Sequence, residues 1–147
     1  MLDKALALAA SVVVLGVALF AATLGFGAVF DLGIGPAAAA SGCLAMVLLG
    51  LEFGTISLAA GVLTGSRMWA LAVGSVAALA AYVLYAVGLL VEAVEPWQPL
   101  SPFQQALSEG PLGGGLPTGY WWMLAVSVAA VALALPVLDR RDIAAHA

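Results

Sequence analysis

The chain predicts an all-α integral membrane protein with four transmembrane helices, both termini cytoplasmic, and a short outer interfacial or re-entrant helix before the last span. Three observations carry that prediction. Of 147 residues, 65% are hydrophobic and only 8% charged, with a mean hydropathy of +1.17, which leaves too little polar surface to clothe a soluble domain. Four windows reach the roughly 20 apolar residues needed to cross a bilayer core. Lys4, Arg67, Arg140 and Arg141 all fall on one side of a four-span arrangement, and Asp31, Glu92, Glu95 and Glu109 on the other, as the positive-inside rule requires.

The first window, about 5–30, lacks a charge, and its length of about 26 residues exceeds the ~7 to 15 of a signal-peptide core. Asp31, Gly33, Gly35 and Pro36 then form a short turn. The second window, about 37–63, contains one charge, Glu52. Gly65 suits a C-terminal cap and Ser66 an N-terminal cap, so the third window, about 69–91, is the antiparallel neighbour of the second. The segment 92–119 is the outer loop and holds five of the seven prolines. Within it, Ser101 as N-cap, Pro102 at the first helical position and Gly110 as terminator predict a helix of about two turns, with Phe103, Ala106 and Leu107 on one face. The last window is about 120–138, and Pro136 is expected to kink or end its helix. Trp97, Tyr120, Trp121 and Trp122 gather at the outer interface, and Trp69 near the inner one.

The second span carries two unusual faces. At 100° per residue, Gly50, Gly54, Ser57, Gly61 and Gly65 form one narrow small-residue ridge, the signature of close helix packing. Glu52 lies opposite, with Ser41, Ala45, Thr55 and Ala59. A carboxylate near mid-membrane costs roughly 2.5 to 3.5 kcal/mol on insertion scales, so Glu52 is expected to be protonated, hydrated or paired. Arg67 lies fifteen residues on, about 22 Å along a helix, and is out of reach on the same helix. Glu52 with Thr55 and Ser41 are therefore translocation-path candidates. The structural alternative is a glutamic acid hydrogen-bonded to a neighbouring helix through Ser75, Ser127 or a second subunit.

Enzymatic chemistry has little raw material. Leu63 to Arg67, LTGSR, lacks the Gly-Lys-Ser/Thr core of a phosphate-binding loop. The single histidine, His146, is a tail residue with no ligand set around it, and no metal or cofactor is expected. Cys43, the single cysteine, cannot form an internal disulfide and reads as a small packing residue. Tyr82 and Tyr85 also read as packing residues. Four basic residues are too few for a nucleic-acid surface.

The order of features has a family likeness. PLSPF at Pro99 to Phe103, EGPLGGG at Glu109 to Gly115, one more span, then DRRDI at Asp139 to Ile143 resemble the C-terminal part of a type-2 ABC exporter permease. Leu58 to Tyr82 is similar to that family's paired fourth and fifth helices with their tight cytoplasmic turn. The resemblance implies that the four spans correspond to helices three to six of a six-span permease, and that the helix near Ser101 is the family's outer re-entrant element. It implies as partners a separate ATP-binding subunit and a second permease chain, a homodimer mate or a complementary half. It offers no role for Glu52. The expectation is an efflux permease subunit moving a hydrophobic or amphipathic solute. The alternatives are a small ion-coupled four-helix carrier built on Glu52 and a non-transporting membrane scaffold.

Overall fold

The computed structural model describes residues 2–107 and 119–145, and every regular element among them is helical. The order is α1 (Leu2–Val29), α2 (Pro36–Thr64), α3 (Arg67–Gly88), a 3-10 helix η1 (Glu95–Leu100), α4 (Pro102–Leu107) and α5 (Gly119–Ala145). Three helices are long and apolar enough to cross a membrane, over Ala5–Val29, Pro36–Thr64 and Arg67–Gly88. The apolar part of α5 is shorter, Gly119–Ala134.

Local chemistry explains most boundaries. Asp31 and Gly33 adopt positive φ, 50° and 63°, and turn the chain from α1 into α2. Pro36 opens α2, where its missing N–H costs nothing. Gly65 closes α2 in the left-handed region at φ 69°, its N–H donating to the Gly61 carbonyl at 2.8 Å. Ser66 occupies the N-cap of α3, as expected, but its hydroxyl makes no capping bond. Instead its backbone N–H donates to Thr64 Oγ1 at 3.3 Å. The expected third span to residue 91 is too long: Leu90 and Val91 both donate to the Val87 carbonyl, which tightens the chain into turns after Gly88. Pro136 does not end its helix, for α5 continues to Ala145. A single proline deletes one donor, and the flanking backbone bonds carry the helix through.

α2 is the hub. α1, α3, α4 and α5 all pack on it, and α4 also touches α3, η1 and α5. Val47 faces Gly16, Gly50 faces Val12 and Gly54 faces Leu8, so residue numbers fall on α1 as they rise on α2 and the two helices are antiparallel. Ser57 against Gly74 and Gly61 against Ala70 make α2 and α3 antiparallel in the same way. α2 and α5 run parallel: Tyr120 and Met123 pack with Ala45, Leu48 and Leu49, and the Tyr120 hydroxyl donates to the Ser41 carbonyl at 3.0 Å. The end holding Asp31, Gly88 and Gly119 is the loop end, and the end holding the 65–66 turn is the basic end.

This geometry divides the small-residue ridge of α2. The ridge was expected to pack closely, and it does so against two helices rather than one. In the structure Gly50 and Gly54 receive Val12 and Leu8 of α1, while Ser57 and Gly61 meet Gly74 and Ala70 of α3. α1 and α3 share one face of α2, one toward each end. Small residues on both sides of the seams permit the approach, since Gly16 and Gly74 are themselves seats, for Val47 and Ser57. Cys43 is buried, as expected of a packing residue.

Candidate functional site

Two features distinguish the bundle from a plain helical hairpin array. The first is the pair of short helices ahead of α5. Prolines at 96 and 99 fall within η1 and Pro102 starts α4; a chain short of amide donors loses little by leaving a regular α-helix. The pair folds back along α3 rather than lying across its end. Gln98 Nε2 donates to the Tyr85 carbonyl at 3.0 Å, and Ser101 Oγ donates to the Ala81 carbonyl at 2.7 Å. Ala81 is seven residues before Gly88, so Ser101 sits about 10 Å inside the end of α3. Ser101 is fully buried, and its hydroxyl is spent on a neighbouring helix rather than on capping α4.

Two glycines make room for this turn. A Cβ at Gly88 would lie 2.8 Å from the Gln98 side chain, and one at Gly119 would lie 2.7 Å from Gln105 Cβ. Beyond Ser101, α4 turns its apolar side to the bundle, with Ala106 in the core and Phe103 and Leu107 packed against it. The Phe103 ring stands 5.7 Å from Phe53 of α2, and also 5.7 Å from Tyr82 of α3 in an edge-to-face contact. The expected apolar face is thus present, and it meets protein. Gln105 Nε2 donates to the Pro99 carbonyl at 2.9 Å and ties α4 to η1. The expected continuation from Ser108 to Gly110 and the EGPLGGG stretch from Glu109 to Gly115 lie outside the described residues, as does His146.

The second feature is the seam between α2 and α5. Its loop-end half is filled by bulky side chains, Leu48 and Leu49 against Tyr120 and Met123. By helical spacing its basic-end half continues through the buried Thr55, Ala59, Ser127 and Ala134, with Ile56 and Val131 half-buried beside them. Glu52 lies where the two halves meet, 3% exposed. Its Oε2 has no hydrogen-bond partner among the described residues. The nearby hydroxyls are engaged elsewhere: Thr55 Oγ1 donates to the Glu52 backbone carbonyl at 2.9 Å, and Ser127 Oγ donates to the Met123 carbonyl at 2.9 Å.

The sequence-derived candidates are thereby sorted. Glu52 and Thr55 share the buried seam, whereas Ser41 lies eleven residues away toward the loop end, about 16 Å along α2. Ser41 Oγ donates to the Ala38 carbonyl at 3.0 Å. Of the two serines considered as neighbours for Glu52, Ser127 is buried on this seam and Ser75 is exposed on α3. At the loop end Tyr120 is buried against the bundle, while Trp97, Trp121 and Trp122 are exposed. The Tyr120 hydroxyl reaches a carbonyl on α2, whereas Trp121 and Trp122, about 100° and 200° further round the helix, face away from it. Met123, the most enclosed large side chain, carried no sequence signal.

Among the described residues no group of three or more His, Cys, Asp and Glu could hold a metal ion. No family model matches the chain, and no curated protein or solved structure matches it. The fold among the described residues is all-helical, with three helices long and apolar enough to cross a membrane and a shorter apolar one, which is compatible with a helical membrane protein.

Proposed function

We propose that the chain is a membrane-spanning subunit of an ABC-type efflux transporter, moving a hydrophobic or amphipathic solute with ATP hydrolysis supplied by a separate subunit. The observation that carries this reading is the η1–α4 pair, folded into the bundle immediately before the last helix and held by the Ser101 to Ala81 hydrogen bond. A re-entrant element at that position is what the likeness of the PLSPF and DRRDI segments to type-2 exporter permeases leads one to expect. Re-entrant backbone is tolerated at membrane depth where protein buries it, and Ser101 and Gln98 are so buried.

In this reading α5 is the fourth span. Residues 120–138 extend about 28 Å at helical rise, close to a hydrocarbon core of about 30 Å. The protein is a multi-pass protein of the cell membrane with both termini cytoplasmic, because the four basic residues collect at the basic end. It works with an ATP-binding subunit and a second permease chain. Purification from native membrane tests this: an ATP-binding subunit should co-purify, and solute export from vesicles should stop when ATP is withheld. Recovery without such a subunit, with nucleotide-independent transport, would instead favour an ion-coupled carrier built on Glu52, whose unpartnered oxygen supports that second reading.

A further inference from the structure

We infer that Glu52 recognises the positive charge of a cationic amphipathic solute, which reaches it from the basic end of the α2–α5 seam. The inference deepens the exporter reading and rests on it for the direction of movement. It begins from what the carboxylate lacks. Glu52 is 3% exposed and its Oε2 is unpartnered among the described residues. The Thr55 and Ser127 hydroxyls, which share its seam, donate to backbone carbonyls instead. Among the described residues no side chain pairs with Glu52 Oε2, and the chain's basic residues, Lys4, Arg67, Arg140 and Arg141, all lie toward the basic ends of their helices. Arg140 is thirteen residues beyond Ser127, about 20 Å down α5, and α2 runs twelve residues, about 18 Å, from Glu52 before it reaches the turn to Arg67. A buried carboxylate without a partner is costly, and a cation from outside the chain removes the cost.

The direction of access follows from packing. Toward the loop end, Tyr120, Met123, Leu48 and Leu49 close the seam, and Phe103 and Leu107 of α4 brace it. Toward the basic end, the buried side chains of the seam are Thr55, Ala59, Ser127 and Ala134. α4 is packed against both α2 and α5, but it lies at the loop end. Swinging α5 outward below Met123 leaves the cluster of Leu48, Leu49, Tyr120 and Met123 and its α4 brace in place, and opens Glu52 to the basic end. The same motion at the loop end would disrupt the core cluster. A solute with an apolar body and a delocalised positive charge fits such a site, largely apolar along its entry and acidic at its head.

The test measures binding of tetraphenylphosphonium to the purified complex in lipid nanodiscs, with neutral triphenylphosphine oxide as the control. Wild type should bind the cation, Glu52→Gln should weaken that binding at least tenfold, and Glu52→Asp should restore much of it. Binding of the neutral control should not change. A second measurement needs no variant: labelling of Glu52 in the wild-type complex by dicyclohexylcarbodiimide, read by mass spectrometry, should be suppressed by tetraphenylphosphonium and not by the neutral compound. Absent cation binding, equal binding by Glu52→Gln, or labelling that the cation does not slow would each overturn the inference. Cation binding without ATP-dependent export would leave it standing and remove the exporter reading alone.

Discussion

Ser101 shows how a single hydroxyl can hold an element in place. It is fully enclosed and bridges to a carbonyl of α3 that is already part of a helix ladder. Ser101→Ala should cost about 1 kcal/mol, the usual net value of one such bond. Ser101→Leu should cost more, roughly 1 to 3 kcal/mol, because the site has no room. Thermal unfolding in detergent would rank the two, and an unchanged midpoint for Ser101→Leu would remove the docked turn. The glycines of α2 separate by what they face. A Cβ at Gly54 would meet the flexible end of Leu8 at 2.9 Å, whereas one at Gly61 would meet the Ala70 Cβ at 3.0 Å, which cannot rotate away. Leucine at Gly61 should therefore disturb assembly more than leucine at Gly54, and both more than Phe53→Leu, which loses only part of an aromatic contact of about 0.5 to 1.5 kcal/mol. Size-exclusion profiles of the three variants decide the order. The ridge itself was legible from 100° periodicity, but its division between α1 and α3 was not, because a ridge specifies closeness and leaves the neighbour open.

Among the elements, α1 depends on one seam. Its partner is α2, and most of its described residues are exposed, Gly16 and Gly27 being the buried ones. The seam turns on Val47 seated at Gly16, where any added Cβ would collide with the valine. Gly16→Leu should release α1 while leaving the α2–α5 core intact. In a Cys43→Ala background, cysteines at Leu8 and Gly54 should cross-link readily in the parent and poorly with Gly16→Leu. Equal cross-linking would show that the seam tolerates the bulk. The η1–α4 pair is the contrasting element, short yet tied to three helices. Its start at Pro102 and its apolar face were legible from Ser101-Pro102 and the spacing of Phe103, Ala106 and Leu107. Its depth was not, because a proline-rich run says where a helix stops and says nothing of which backbone carbonyl will receive a serine twenty residues later in the chain.

For the molecule as a whole, the core cluster and its α4 brace gather at the loop end of α2, which makes the bundle asymmetric along its axis. In the proposed exporter that asymmetry sets the side from which solute enters, and the orientation is testable. In the Cys43→Ala background, a cysteine at Gly33 should react with an impermeant thiol reagent from outside intact cells, and one at Ser66 only from inside; the opposite pattern would invert the proposed topology. Carbonate washing of membranes should leave the protein in the pellet, and its release would remove the spanning assignment. The sequence by itself determined the helical class, the three long apolar helices, the turn at Gly65 and the presence of one acidic residue in an apolar setting, because composition and periodicity are local properties that a bilayer or a core enforces directly. Only the tertiary structure decided that α2 is parallel to α5, that Tyr120 lies inside, and that Glu52 lies just beyond the core cluster on the same stripe of α2. Those outcomes depend on which groups meet across helices as much as 79 residues apart in the chain, such as Ser41 and Tyr120, and such pairings are set by mutual packing that no single stretch contains.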